Sequence, residues 1–324
     1  MGKPDTYSII TNKIKKNVKK RVKWNCLTVG CENTSIKSHL LQQNGILNNI
    51  STDDNHLIEM RMVDYVKSQR AMVELKKIGI KQAISFPLFC SSCDTNIFKP
   101  IESSVFDTSE YKTQLLFSYR SLCSELRKQQ ISQLFKERCL NASTLRGLLD
   151  RNIMNESLRN TRNSIKDLEL NKSKFESELT SEKGIFTFKT YYYPLIEVYG
   201  SATFSPTNFT FSLYQTPDNF KNIYINIIPE QSRLTIIVGY ANHASNKWTE
   251  EYVDSWSNLS KIGLEQKLTE LFATRIETWG LSEELFKKIN RKNIKKFIDH
   301  WRDEGNDFSY YQKVDFNLFE INSI

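Results

Sequence analysis

Hydrophobic positions along the chain change period several times, and each change marks a structural boundary. Between 110 and 138, Leu115, Leu116, Tyr119, Leu122, Cys123, Leu126, Ile131, Leu134 and Phe135 recur at helical spacing with charge on the opposite face. That pattern predicts one long amphipathic helix. Leu158, Ile165, Leu168, Phe175 and Leu179 follow a heptad-like frame interrupted by Thr161 and Lys172, which predicts a second helix packed antiparallel to the first and stopped at Gly184. The period then shortens. IFTFKTYYY, LIEVYGSATF, NFTFSLYQ, KNIYINII and RLTIIVGYA are β-branched and aromatic runs separated by proline-containing breaks, and predict five antiparallel strands between 184 and 241. From 258 to 301 helical spacing returns, through Leu264, Leu268, Leu271, Phe272 and Ile276 and then Leu285, Ile289, Ile294, Phe297 and Ile298.

The predicted class is therefore α+β: an N-terminal zinc domain, a central helical hairpin, and a C-terminal antiparallel sheet with flanking helices. The expected units are 1–23, a basic arm; 24–106, the zinc domain; 107–183, the hairpin; and 184–324, the sheet with its helices. At 324 residues, 39% hydrophobic and 25% charged, the chain can bury more than one core and does not have a disordered composition. No apolar run reaches the roughly 18 to 20 residues of a membrane span, and MGKPDTYSII lacks the apolar stretch of a signal peptide. These features predict a cytoplasmic protein with no membrane partner.

Charge adds a partner class. The formal net charge is +8, and KIKKNVKKRVK at 13–23 concentrates basic residues with no acid among them. Lys15, Lys16, Lys19, Lys20 and Arg21 are the candidate phosphate contacts of a solvated nucleic-acid-binding arm, the competing reading being a merely solubilising tail. The run leads directly into a cysteine pair. Cys26 and Cys31 are separated by four residues including Gly30, and Cys90 and Cys93 by two in FCSSCD. Both spacings suit tight turns that direct two thiolates inward, and four such sulfurs suit tetrahedral Zn²⁺ in a structural role. Cys123 lies on the apolar face of the predicted long helix, and neither it nor Cys139 has a close partner; both are expected in the core.

Ser38-His39 follows the first pair, in SIKSHLLQQNGIL, and the second pair runs into CDTNIFKPIE, which predicts a helix with Asp94 as N-cap. Over 24–102, about a quarter of the chain, this order resembles the treble-clef arrangement of the HNH, or ββα-metal, endonucleases. It is also similar to bacterial proteins of unassigned function that carry a Ser-His motif after one Cys pair and an acidic residue after a later one. The resemblance implies His39 as general base, Asp94 in the place of a second catalytic metal ligand, and Mg²⁺ or another divalent ion to stabilise the leaving oxygen of a phosphodiester. Glu102 comes about two helical turns after Asp94 and can approach the same face, although Pro100 interrupts the helix. Geometrically, His39 and Asp94 are expected on opposite walls of one accessible cleft beside the zinc. The sequence departs from the family pattern in three ways. Ser38 stands where an acidic residue is usual, the central Asn is not assigned among Asn44, Asn48 and Asn49, and an insertion at 53–77, read as helical from about His56, separates the two halves.

The functional expectation is a zinc-stabilised HNH-like nucleic-acid-binding protein, with DNA as first candidate. It would act as a metal-dependent endonuclease, a hydrolase of the kind found in antiviral defence of bacteria. The alternatives are a non-catalytic zinc finger that binds nucleic acid and a protein-interaction component, with a homo-oligomer or protein partner engaged through the C-terminal region. His56 is a secondary ligand candidate. His243 and His300 read as structural, and Tyr191, Tyr192 and Tyr193 read as a strand of alternating rings rather than a base-stacking face.

Overall fold

A computed structural model describes residues 6–64, 71–103, 106–205, 221–304 and 313–321. The class is α+β. The elements run α1 (Thr6–Arg21), β1 (Lys37–His39), β2 (His56–Asp64), β3 (Ala71–Gly79), β4 (Ser85–Pro87), α2 (Ser91–Glu102), α3 (Tyr111–Asn141), α4 (Arg151–Ser181), β5 (Phe186–Pro194), β6 (Val198–Phe204), β7 (Ile223–Pro229), β8 (Arg233–Ala241), α5 (Lys247–Asp254), α6 (Lys261–Thr274), β9 (Trp279–Leu281), α7 (Glu283–Lys288) and α8 (Arg291–Glu304). No helix among the described residues is long and apolar enough to cross a membrane.

Seven strands form one antiparallel sheet in the order β3-β2-β9-β6-β7-β8-β5. Strand alternation divides its side chains between two cores. Val198, Ala202, Ile223, Ile225, Ile227, Leu234, Ile236 and Val238 meet α5, α6 and α8 on one face. Tyr199, Tyr224, Ile228, Ile237 and Phe186 meet α3, α4 and the cysteine-bearing segment on the other. Because both faces are covered, β7 is buried at every position, which explains its unbroken apolar run where a half-exposed strand would alternate. The predicted hairpin forms from α3 and α4. Asp150 caps α4 by accepting hydrogen bonds from the Asn152 and Ile153 amides, and Glu182 (φ 45°) and Gly184 (φ 72°) turn the chain out of it.

Four sequence expectations change. The segment from His56 is a strand, because HLIEMRMVD alternates: Ile58 and Met60 enter the core shared with α6 and α8, while Glu59 turns to the other face. The β2–β3 hairpin thereby carries the insertion between the two Cys pairs into the main sheet, so the sheet extends beyond 184–324 into 24–106. Of the five strand runs predicted between 184 and 241, four appear as β5 to β8, and NFTFSLYQ lies outside the described residues. The basic run is also no extended arm. It forms the second half of α1, since Ile10, Ile14 and Val18 recur every fourth residue beneath the charges, and Val18 is fully buried where α1 packs on α3. Finally, Cys90 and not Asp94 is the N-cap residue of α2, and Asp94 lies in its first turn.

Candidate metal centre

The first Cys pair sits in a tight loop closed by the Asn25–Thr34 bridge. Within it the Cys26 amide donates to Asn33 O (2.8 Å) and the Cys31 amide to Thr28 O (3.1 Å). Gly30 takes φ 74°, a left-handed conformation that glycine adopts without a Cβ penalty. The second pair occupies the start of α2, with Cys90 at the N-cap and Cys93 in the first turn. Backbone pairing draws the two pairs together. Leu27 N donates to Leu88 O (2.9 Å) and Ile36 N to Phe89 O (2.7 Å), continuing into the β1–β4 ladder of Lys37 with Pro87, Ser38 with Phe86 and His39 with Ser85.

The four sulfurs all lie within 4.8 Å of one another, and Cys31 Sγ is 3.7 Å from Cys90 Sγ. A tetrahedral zinc with Zn–S bonds of about 2.3 Å has sulfur–sulfur edges of about 3.8 Å. The set is therefore close to the size such an ion needs, and all four thiols are free. Cys26 and Cys90 are buried, and Cys31 and Cys93 are half-buried. The Cys93 backbone N–H pulls the Cys90 thiol down to about 7. Cys93 is pushed up to about 12: the Thr28 hydroxyl pulls it downward, but burial and the three neighbouring sulfurs outweigh that. Four contiguous thiols cannot all ionise together without a compensating charge, and a divalent cation supplies it. These four cysteines can hold a metal ion such as zinc. Among the described residues they are the one group of three or more His, Cys, Asp or Glu side chains so placed.

His39 closes β1 and is half-buried. Burial lowers its pKa, opposed by backbone hydrogen bonding at Lys81 and assisted by the charge of Arg120, so the imidazole is neutral at pH 7. The Gln43 amide nitrogen lies 2.6 Å from its Nε2. Asp94 shares this electrostatic neighbourhood, but its carboxylate faces Arg120 at 3.5 Å. Arg120 also donates to Glu102 at 2.7 Å and lies 4.0 Å from the ring centre of Phe98. Asp94 and Glu102 thus converge on one buried guanidinium, which offsets one of their two negative charges.

Arg120 has no part in the sequence reading, yet it is 1% exposed. Arg127, one heptad later on α3, donates to Asn25 O and places its guanidinium 4.9 Å from the Trp24 ring centre. Burial pulls its pKa down to about 10. Together the two arginines clamp both halves of the cysteine module onto α3. Their signal was present in the sequence: at about 100° per residue, Arg120 and Arg127 fall within about 40° of Leu116, at the border of the Leu116–Tyr119–Cys123 stripe and not on the charged face. Cys123 and Cys139 are buried, as expected of core thiols, and burial pushes Cys123 up to about 12.

The other candidates separate. His56 pairs with Asp54 at the start of β2, and His243 lies 2.6 Å from the Lys174 ammonium. Tyr191 and Tyr193 donate to Val253 O and Trp256 O on one face, while Tyr192 turns to the other, beneath Arg233. Asn49 anchors its loop by donating to Gly45 O (3.0 Å) and Pro229 O (3.1 Å). On α1, Lys16, Lys19 and Arg21 are exposed, Lys15 is half-buried, and Lys20 lies within the helix. Comparisons with protein-family models, with curated proteins and with solved structures find no match to this chain.

Proposed function

We propose that this chain is a zinc-stabilised nucleic-acid-binding protein. In this reading Cys26, Cys31, Cys90 and Cys93 hold one structural Zn²⁺ in a treble-clef-type module, and α1 presents Lys15, Lys16, Lys19, Lys20 and Arg21 to a phosphate backbone. One observation carries it: a lysine-rich helix, packed by its apolar side onto α3, ends only a few residues before the first ligand of the cysteine centre. At about 100° per residue, positions 15, 16, 19 and 20 fall within about 140° of the helix circumference, away from Tyr7, Ile14 and Val18. Such a face suits a polyanion, and its rigid mounting lowers the ordering cost of binding.

The second reading is an HNH-like endonuclease. It is favoured by a neutral His39 at the end of β1, in a strand–strand–helix unit whose helix has Cys90 as its N-cap. Here His39 would deprotonate water, and Mg²⁺ would have to draw Asp94 away from Arg120. One experiment tests both. The zinc-loaded full chain is titrated with labelled DNA duplex and RNA across a KCl series, with Mg²⁺ present and products resolved on a gel. Lys16→Gln/Lys20→Gln/Arg21→Gln is expected to flatten the duplex salt slope by roughly two to three. An unchanged slope rejects the binding role of α1. Metal-dependent cleavage abolished by His39→Ala selects the nuclease reading, and binding without cleavage selects the first.

A further inference from the structure

We infer that the groove between α3 and α4 is a second phosphate-backbone site, one that the resemblance to HNH endonucleases does not reach. It deepens the nucleic-acid-binding reading and rests on it. The groove encloses about 370 Å³ and is lined by Gln133, Arg159, Arg162, Asn163, Ile165 and Lys166. Arg151, Arg159, Arg162 and Lys166 are all exposed. With about 100° per residue they occupy an arc of about 80°, forming a stripe about 22 Å long on one side of α4. Leu158 and Ile165 border it and are buried, so the cationic heads stand over an apolar seam and not on a freely rotating surface.

The four cations are not equally committed within the protein. Arg151 donates to Leu140 O (2.8 Å) and Arg162 to Glu137 (2.9 Å). Arg159 and Lys166 have no ion pair among the described residues. Four acids lie nearby, and exposed Glu156, one turn before Arg159, flanks the stripe. Asp150 is engaged as the N-cap of α4, Glu137 is held by Arg162, and Glu169 lies about one turn beyond Lys166, where it ends the stripe. Two fixed arginines alternating with two available cations, with the Asn163 amide beside them and Gln133 Nε2 already donating to Glu137 (2.9 Å), suit a linear array of phosphates. Guanidinium groups pair bidentately with phosphate oxygens, and amides add neutral donors. A length of about 22 Å corresponds to roughly six nucleotides of one strand at about 3.4 Å each. Helix α1 also packs against α3 and against the turn at Ser143–Leu145, so two basic helices flank the same half of α3.

The test uses the zinc-loaded full chain carrying Arg159→Gln/Lys166→Gln, two exposed positions that leave the intramolecular ion pairs intact. Binding to a fluorescein-labelled DNA duplex and to a single-stranded RNA of equal length is measured by anisotropy across a KCl series, beside wild type and the α1 variant. The expected result is a duplex salt slope shallower by roughly two, with at least a tenfold weaker affinity at low salt. Zinc content and thermal midpoint should be unchanged. If wild type binds and only the α1 variant weakens, the groove proposal is overturned while the nucleic-acid reading stands. If wild type shows no salt-dependent binding, both fall. Loss of polyglutamate binding in the double variant, with nucleic-acid binding intact, would reassign the groove to an acidic protein partner and overturn the proposal.

Discussion

Strands β1 and β4 pair over three residues, whereas β5 and β8 pair over nine, and the two regions hold their shape by different means. Around the cysteines the ladder is short, two of the four sulfurs are only half-buried, and much of the order comes from single hydrogen bonds such as Leu27 N to Leu88 O. In the large sheet, β6 and β7 are buried along their whole length, and stacked rings such as Phe272 on Trp279, with centroids 4.1 Å apart, fill the adjoining core. The comparison teaches that a small unit can be specified by a few convergent cysteines able to hold a metal and by two arginine anchors, while a seven-stranded sheet needs area. The β2–β3 hairpin joins them. Its Glu59 accepts from the Ile84 amide (2.8 Å) and thereby holds a β-branched residue at φ 32°, an unfavourable backbone conformation, just before β4.

The largest expected effect comes from removing two of the cysteines that can hold a metal. Cys90→Ser/Cys93→Ser should abolish stoichiometric zinc measured by mass spectrometry, forfeiting a binding free energy of roughly 10 kcal/mol or more. Hydrogen exchange should then show loss of protection around 24–55 and 80–103, with β6 to β8 still protected. Equal loss in both regions would mean that they unfold as one unit. Next comes the anchor. Arg120→Met leaves Asp94 and Glu102 without their cation and should cost about 3 kcal/mol in urea unfolding, with zinc retained. An unchanged midpoint would show that the clamp contributes nothing.

The third prediction concerns the junction and is a pH effect. Burial pushes the Glu59 carboxyl up to about 7, against the pull of Arg61, the Ile84 amide and the Tyr199 hydroxyl. Between about pH 4.5 and 7 the folded state therefore keeps a proton that the unfolded chain releases. Its contribution is fully present below the unfolded pKa and is lost as pH rises through the folded one. The loss is of order 3 kcal/mol. Glu59→Gln should remove this component, so the difference in urea stability between wild type and variant shifts toward the variant as pH rises from 5 to 8. Parallel pH profiles would contradict the assignment.

The two long helices were legible because their apolar spacing runs for many turns, and β5 to β8 because β-branched runs end at strong breakers. The cysteine set was legible as well: ligand chemistry restricts both residue type and spacing, and Cys26, Cys31, Cys90 and Cys93 do converge. Less visible was the helix beneath the lysines of α1, where only three apolar positions interrupt the charge. The strand at His56 was masked by DDNH, which imitates a helix start. Strand β9, three residues long, carries too little sequence to announce itself and exists because Gly280 lets β2 approach closely: a Cβ there would lie 2.4 Å from Ile58 O.

The sequence by itself determined the two long helices, the strands β5 to β8, which thiols can serve as ligands and where positive charge accumulates, because these follow from sustained local periodicity and side-chain chemistry. Only the tertiary structure decided that the insertion between the Cys pairs joins the main sheet, that Asp94 and Glu102 meet Arg120, and that the cations of α4 align beside a groove. Each depends on contacts between residues distant in the chain, and such contacts are selected by the packing of whole faces against one another, which no local pattern records.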